Sequence, residues 1–280
     1  MIQKKVIRWF EENQRDLPWR NTSPWGVLVS EFMLQQTPVN RVLPIWNDWM
    51  TRWPSPDSLA NASKADVIRA WGKLGYPRRA LRLHESAKII STKHDNQVPS
   101  TYEDLFALPG IGDYTAAAIQ AFAFAQSSLV LDINIRRFYS RLYDGIERAP
   151  QAPSRVEREL RQSLIPKQGA HIWAAATMEI GALICTARAP KCDECPVKNS
   201  CQWRARNYPK STPVIKPSFT GSDRQCRGIV MNQLRENPSA GQSDLLALWP
   251  DKSQVELALK TLLADGLIET TGKNRYRLPK

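Results

Sequence analysis

The sequence predicts an all-α body followed by a small, winged-helix-like α+β domain. Three observations carry this expectation. Apolar residues recur at helical spacing through residues 1–203, and four cysteines crowd into the 17 residues from 185 to 201. A Pro/Ser/Thr-rich stretch then separates this body from three further helical patterns and a short alternating strand.

The helical segments follow one another as "VIRWFEEN", "VNRVLPIWNDWMTRW", "KADVIRAWGKL", "RALRLHESAKIIS", "TYEDLFAL", "TAAAIQAFAF", "INIRRFYSRLY", "SRVERELRQSLI" and "IWAAATMEIGALI". Short punctuation parts them, as in "WPSPDSLANAS", "HDNQVPS" and "IERAPQAPS". Ser63 with Asp66, and Ser100 with Glu103, have the spacing of a helix N-cap and its acidic partner. "NYPKSTPVIKPSFTGSD" lacks periodicity and reads as a linker. Beyond it, "RQCRGIVMNQLREN", "GQSDLLALWP" and "SQVELALKTLLADGLIET" read as helices, and "TGKNRYRLP" as a turn into a strand. That order is the pattern of a winged helix.

A chain of 280 residues is long enough for two sizeable cores, and its formal charge of +12 suggests a polyanionic partner, most simply nucleic acid. Residues 204–280 hold 13 Lys/Arg against 7 Asp/Glu, so this tail carries half of that charge. No apolar run approaches the ~20 residues of a membrane helix. The N-terminus has neither the long apolar core nor the small-residue cleavage site of a signal peptide, so the cytoplasm is the expected compartment. Most of the ten tryptophans are expected in cores, with a few free to act as stacking surfaces.

Cys185, Cys192, Cys195 and Cys201 are spaced C-x6-C-x2-C-x5-C. In a chain without a secretion signal, four thiols so close together point to a metal cage rather than disulfides. Zinc usually takes two C-x2-C pairs or a mixture of cysteine and histidine, whereas this loop has one such pair and no histidine nearby. A [4Fe–4S] cluster suits the set better. Arg188, Lys191 and Lys198 stand among the ligands and could face phosphates. Cys226 stands alone on a helical pattern and is expected to be buried and inert.

"LPGIGDYT", residues 108–115, places Gly110 and Gly112 between two helical patterns and not after a strand. This argues against dinucleotide binding. Read as a helix–loop–helix hairpin, the segment holds both glycines at tight backbone positions and turns backbone N–H groups outward, where a DNA phosphate can sit. The alanine-rich helix that follows permits close packing.

Taken together, "LPWR" (17–20), "SEFMLQQT" (30–37), "KLGYPRRA" (73–80), "LPGIGDYTAAAI" (108–119), "VLDINIRR" (130–137), "MEIGALIC" (178–185) and the four cysteines make residues 6–203 resemble the helix-hairpin-helix DNA glycosylases of the endonuclease III superfamily with an iron–sulfur loop. The likeness is strongest to the A/G-mismatch adenine glycosylases. It implies an iron–sulfur domain from residues 1–20 and 129–206 and a six-helix domain over 21–128, with substrate in the cleft between them; the linker over 207–222 and the winged-helix-like domain over 223–280 come from the sequence pattern and depart from the family. Its implied partner is double-stranded DNA carrying an A:8-oxoguanine or A:G mismatch. A monomer in the bacterial cytoplasm, associated with the nucleoid, is expected.

Hydrolysis of an N-glycosidic bond calls for an acid at the leaving base and a carboxylate for the cationic sugar, the division of labour seen in glycosidases. By resemblance Glu31 is the acid that protonates adenine N7; its apolar helix segment would raise its pKa. Asp132 is the stabiliser of the oxocarbenium ion, although its position before a helix also suits an N-cap. Asn134 would orient one of these carboxylates or the water, and Glu179 would hydrogen-bond the adenine. The base must leave the duplex first. Gln36, with Gln35 as the alternative, and Tyr76 are the residues implied to fill and wedge the stack. Pro77 stands where relatives often carry a second tyrosine. Arg78, Arg79 and Arg82 would meet phosphates or form a solvated face, and Trp19 and Arg20 would line the pocket.

Tyr114 stands where bifunctional relatives carry the lysine that forms a Schiff base with the sugar, so a monofunctional hydrolase is expected. Thymine-mismatch glycosylases also carry tyrosine there but lack an acid at the position of Glu31. The alternatives are thus a thymine- or uracil-mismatch enzyme, an endonuclease III-like glycosylase/lyase, and a non-enzymatic winged-helix regulator. Most relatives carry a longer C-terminal domain that inspects the 8-oxoguanine; here about 60 residues follow the linker.

Overall fold

The computed structural model describes residues 1–150, 152–212 and 218–280, so part of the linker expected at 207–222 lies outside the described residues. In chain order the helices of the body are α1 (Ile2–Asn13), α2 (Pro24–Leu34), α3 (Val39–Arg52), α4 (Pro56–Ala60), α5 (Lys64–Trp71), α6 (Arg78–Lys93), α7 (Tyr102–Phe106), α8 (Asp113–Phe124), α9 (Ile133–Tyr139), α10 (Arg155–Gln162), α11 (Ala170–Leu183) and α12 (Gln202–Ala205). The C-terminal part follows as α13 (Asp223–Glu236), β1 (Ala240–Gly241), α14 (Gln242–Leu246), α15 (Lys252–Ala264), β2 (Glu269–Thr270) and β3 (Arg275–Arg277). Two compact units result: Met1–Leu28 with Ser100–Ala107 and Ile111–Val214, and Val29–Pro99 with Leu108–Gly110 and Ile215–Lys280.

The first unit is built on α8, α9 and α11. The alanines of α8 let neighbouring backbones approach, and Ala116, Ala118 and Ala121 are fully covered in one core with Phe138, Trp173, Ile180 and, from α1, Val6 and Phe10. Gly181 on α11 belongs to the same device. A Cβ there would lie 2.7 Å from the Asn134 carbonyl oxygen, so only glycine lets α11 pass this close to the start of α9. After Tyr139, α9 continues as a π-helical turn over Ser140–Asp144.

In the second unit Trp49 packs edge-on against Trp71 at 5.5 Å in the core of the helical part. The C-terminal strands form an antiparallel sheet of order β1-β3-β2, with Ala240 opposite Tyr276 and Glu269 opposite Arg277. The three helices and closing hairpin follow in the order expected, with the short strand β1 added between the first two helices. Its core of Cys226, Val230, Leu234, Leu259 and Leu262 also takes in Ile68 from α5, which is fully buried there. The segment 29–99 therefore shares a hydrophobic core with 223–280.

Seven of the ten tryptophans are buried. Ser63 caps α5 as expected, accepting from the Asp66 N–H at 3.1 Å. The cap of α7 differs from expectation by one residue. Thr101 accepts from the Asp104 N–H at 3.2 Å, while the Ser100 carbonyl accepts from the Gln120 side chain and so belongs to the preceding loop. No helix among the described residues is long and apolar enough to cross a membrane.

Candidate active site and iron–sulfur loop

In the first unit, Asp132 is the N-cap of α9. One carboxylate oxygen accepts from the Ile135 N–H at 2.6 Å and the other from Asn134 Nδ2 at 2.7 Å. Burial pushes the Asp132 carboxyl above its ordinary range, against the hydrogen bonds from Ile135 and Asn134 and the charge of Arg137, which favour the ionised form. Asn134 is held in turn, its Oδ1 accepting from Arg137 Nη2 at 2.8 Å. Arg137 also donates to the carbonyls of Gly181 and Cys185, both at 2.6 Å. A continuous chain of hydrogen bonds thus runs from the Asp132 carboxylate to the backbone of the first loop cysteine.

Glu179 is 1 % exposed, not a surface residue. Its Oε1 accepts from the Arg15 N–H and Nε, both at 2.9 Å. Its Oε2 accepts from Arg15 Nη2 at 2.8 Å and Arg20 Nη2 at 3.0 Å. Four donors occupy the roughly four lone-pair sites of a carboxylate. An adenine could therefore bond Glu179 only by displacing one of them. Arg20 is committed to this cluster, and Trp19 is buried beside it in the chain. The Tyr114 ring on α8 packs against the core of the first unit.

The four loop cysteines are free thiols that line one cavity of about 30 Å³ together with Phe138, Leu142 and Val197. Among the described residues no three His, Cys, Asp or Glu side chains close around a single metal-ion position. Sulfurs spread around a cavity, with no histidine among them, fit a cluster better than one tetrahedral zinc. Burial drives the Cys195 thiol up to about 11 and also raises Cys185, so buried thiolates here need cationic compensation. Arg141 supplies part of it: fully buried, it lies 3.5 Å from Cys185 Sγ, donates to the Thr186 carbonyl at 2.7 Å and stacks on Trp203 at 4.3 Å. Of the cations expected to face phosphates, Lys191 pairs with Glu194 and Lys198 donates to the Asp193 carbonyl, whereas Arg188 is exposed.

In the second unit, Glu31 on α2 is 6 % exposed. Gln36 and Tyr76 are both solvent-exposed, and both adopt the left-handed backbone, at φ 55° and 47°, that side-chain-bearing residues rarely take. They line one cavity of about 250 Å³ with Gln35, Arg78 and Arg82. Gln35 reaches the Gly110 carbonyl at 3.5 Å, which brings the hairpin to the end of α2.

Arg79 holds this corner together and corrects the expectation of a phosphate contact or solvated face. It is buried, donating to the carbonyls of Phe32 (2.9 Å), Met33 (3.2 Å) and Gln35 and to Thr37 Oγ1 (3.0 Å) on one side. On the other it reaches the carbonyls of Leu74 (3.4 Å) and Gly75 (3.1 Å). The orphan carbonyls at the end of α2 and the turn before Tyr76 thus share one guanidinium. Burial lowers its pKa to about 10. Arg78 pairs with Asp265 at 3.3 Å, and Arg82 is exposed.

The two hairpin glycines also differ. Gly110 has φ 85°, and a Cβ would meet the Phe32 ring at 2.9 Å, so the tight position expected is real. Gly112, the N-cap of α8, is extended at φ −115°, and a Cβ would meet nothing within 4 Å. Nothing within the protein requires glycine there. Arg137, Arg141 and Arg15 are site residues that no local sequence signal marks; Arg15 lies in the loop after α1.

Residues 29–166 match the HhH-GPD superfamily of base excision DNA repair proteins, and residues 185–201 match the iron–sulfur binding domain of endonuclease III. The chain is 46 % identical over 284 residues to the adenine DNA glycosylase of Mycobacterium tuberculosis, covering 98 % of this chain and 92 % of that one. Among solved structures, a thermostable thymine-DNA glycosylase matches with a TM-score of 0.68 at 25 % identity, over 73 % of this chain and 95 % of that one. A trapped endonuclease III–DNA covalent intermediate matches in fold, with a TM-score of 0.63 at 20 % identity over 73 % and 95 %.

Proposed function

This chain belongs to the adenine DNA glycosylase family of base excision repair proteins, and from that premise we propose that it hydrolyses the N-glycosidic bond of adenine mispaired with guanine or 8-oxoguanine in double-stranded DNA, leaving an abasic site. The observation that carries the reading is a pair of carboxyl groups in the matching motifs, one buried on α2 and one capping α9. Glu31 is buried on α2 at 6 % exposure. Asp132 is held by hydrogen bonds from Ile135 and Asn134, against a burial that pushes its carboxyl above the ordinary range.

Glu31 protonates adenine N7, which turns a poor leaving group into a good one. As the bond lengthens, the Asp132 carboxylate stabilises the positive charge on the sugar, with Asn134 fixing its orientation. Tyr114 has no amine to condense with the opened sugar, so the reaction ends in hydrolysis without strand cleavage. Gln36 and Tyr76, held on strained turns by Arg79, fill and wedge the base stack during extrusion. The hairpin presents backbone N–H groups to a phosphate, and the open space at Gly112 leaves room for that approach. Glu179 organises Arg15 and Arg20 at the pocket wall, beside Trp19. Cys185, Cys192, Cys195 and Cys201 hold the iron–sulfur cluster, which when bound ties α11 to α12 as a rigid staple. We place the enzyme in the bacterial cytoplasm as a monomer.

The test is base release from duplexes carrying A:8-oxoguanine, A:G, A:C and T:G. Release of adenine from the first two, lost by roughly 10²–10⁴-fold in Glu31→Gln with DNA binding retained, is the expected result. Activity confined to T:G would overturn the reading in favour of the thymine enzymes that share the fold.

A further inference from the structure

The second unit contains a groove of about 1110 Å³ that begins at the Gln36 and Tyr76 wedge and runs on along α13, a helix the chemistry above does not use. One wall is the turn from Gly72 to Arg78, with Gln36 and Arg41; the other is α13 of the C-terminal domain. This exceeds the roughly 300–1,000 Å³ of small-molecule pockets, which suits a length of polymer. Six cations line it (Arg41, Lys73, Arg78, Arg224, Arg227 and Arg235) against the two carboxylates of Glu236 and Asp265. Asp265 is paired with Arg78 and Arg227, while Arg41, Lys73 and Arg224 are exposed.

Stacking and hydrogen-bonding groups are interleaved with this charge. Tyr76 projects into the groove and Phe219 stands at it 56 % exposed, and the side-chain amides of Gln36, Asn232 and Gln233 are present. Arg224 reaches across from α13 to the Tyr76 ring, 5.0 Å from its centre. Midway along α13, Gly228 faces the same space, and a Cβ added there would meet nothing within 4 Å. Glycine inside a helix is destabilising relative to alanine, and no neighbour in the protein demands it here. The missing side chain therefore leaves room for something outside the chain.

We propose that this groove is where the C-terminal domain meets DNA: it holds a short unpaired stretch of strand next to Tyr76, cations on its phosphates and aromatic rings on its bases, with α13 as the contacting helix. A charged groove set with aromatic platforms is the general solution for an unstacked strand. In helix-turn-helix and winged-helix domains the contacting helix is ordinarily the second of the turn, here α15. Its exposed face carries Lys252, Glu256, Leu257 and Lys260, and it contributes only Leu262 to the groove. The proposal takes from the glycosylase reading only that the ligand is DNA.

The test is a fluorescence-anisotropy titration of the full-length, cluster-loaded protein with a labelled duplex bearing an uncleavable 2′-fluoro adenine nucleotide opposite guanine, over a series of KCl concentrations. Arg224→Ala, at an exposed position, should make the slope of log K against log salt shallower by about one. Gly228→Leu should weaken binding roughly tenfold, the equivalent of forcing extra carbons into an occupied site. Lys252→Ala with Lys260→Ala on α15 should titrate as the unaltered protein does. If both α13 variants bind with unchanged affinity and salt slope, the proposal is overturned. A T:G duplex run alongside separates the two readings: loss of adenine specificity changes the preferred duplex but not the ordering of the variants.

Discussion

Replacing Glu179 with glutamine removes one charge and leaves the shape nearly intact, so its consequences can be worked from the geometry. The carboxylate accepts four hydrogen bonds, three of them from guanidinium groups. Glutamine keeps one oxygen, enough for the Arg15 N–H and Nε, but turns an NH₂ toward the Arg15 and Arg20 Nη2 atoms. Breaking a fully buried ion pair by removing one partner costs about 3–5 kcal/mol. The Arg15 and Arg20 side chains are 33 % and 22 % exposed, so water takes over part of their solvation and the expected loss falls to about 2–3 kcal/mol. With a urea dependence near 3 kcal/mol per molar, the denaturation midpoint followed by tryptophan fluorescence should drop by roughly 0.7–1 M at pH 7. Burial alone would raise the Glu179 carboxyl, but the Arg15 hydrogen bonds and the Arg20 charge hold it below its ordinary value of 4.5. A folded-state value below the unfolded one means that the contribution is complete above about 4.5 and fades as pH falls through the lower, folded value. The gap between the two midpoints should therefore be full at pH 7 and close in acid. An unchanged midpoint, or a gap that persists undiminished in acid, would refute the argument that this carboxylate is the keystone of the Arg15–Arg20 cluster.

The hairpin glycines should separate by mechanism. Gly110→Ala, strained at φ 85° and pressed against the Phe32 ring, should lower the urea midpoint, whereas Gly112→Ala should fold normally but bind DNA more weakly; equal effects on stability would contradict the distinction. Tyr114→Lys should acquire strand-nicking and a borohydride-trappable DNA adduct, and a variant that remains a pure hydrolase would remove Tyr114 from the explanation of monofunctionality.

The features most legible in the sequence were those whose partners lie close along the chain. Four cysteines within one loop announce their common ligand by spacing alone, and Asp132 caps a helix through the N–H of Ile135, three residues on. Legibility fails where a charged group is satisfied by distant backbone. Arg79 reads as a surface cation because nothing local indicates that carbonyls 44–47 residues earlier need a donor. Arg137 is the same case, spanning 44 residues to Gly181 and 48 to Cys185. Neither helical pattern marks the position as buried, since Asn134, Ser140 and Arg141 stand at helical spacing from Arg137 and Arg82 from Arg79, yet the fold places the charge inside. Such a charge cannot remain unpaired, and helix ends are the richest supply of unpaired carbonyls in an all-α protein. Ile68 illustrates a different limit. An amphipathic helix shows which of its faces is buried but not whose core receives it, and α5 gives that residue to a domain more than 150 residues downstream. That transfer matters for function, because the same association sets α13 opposite Tyr76 and makes one wall of the groove from each part of the sequence.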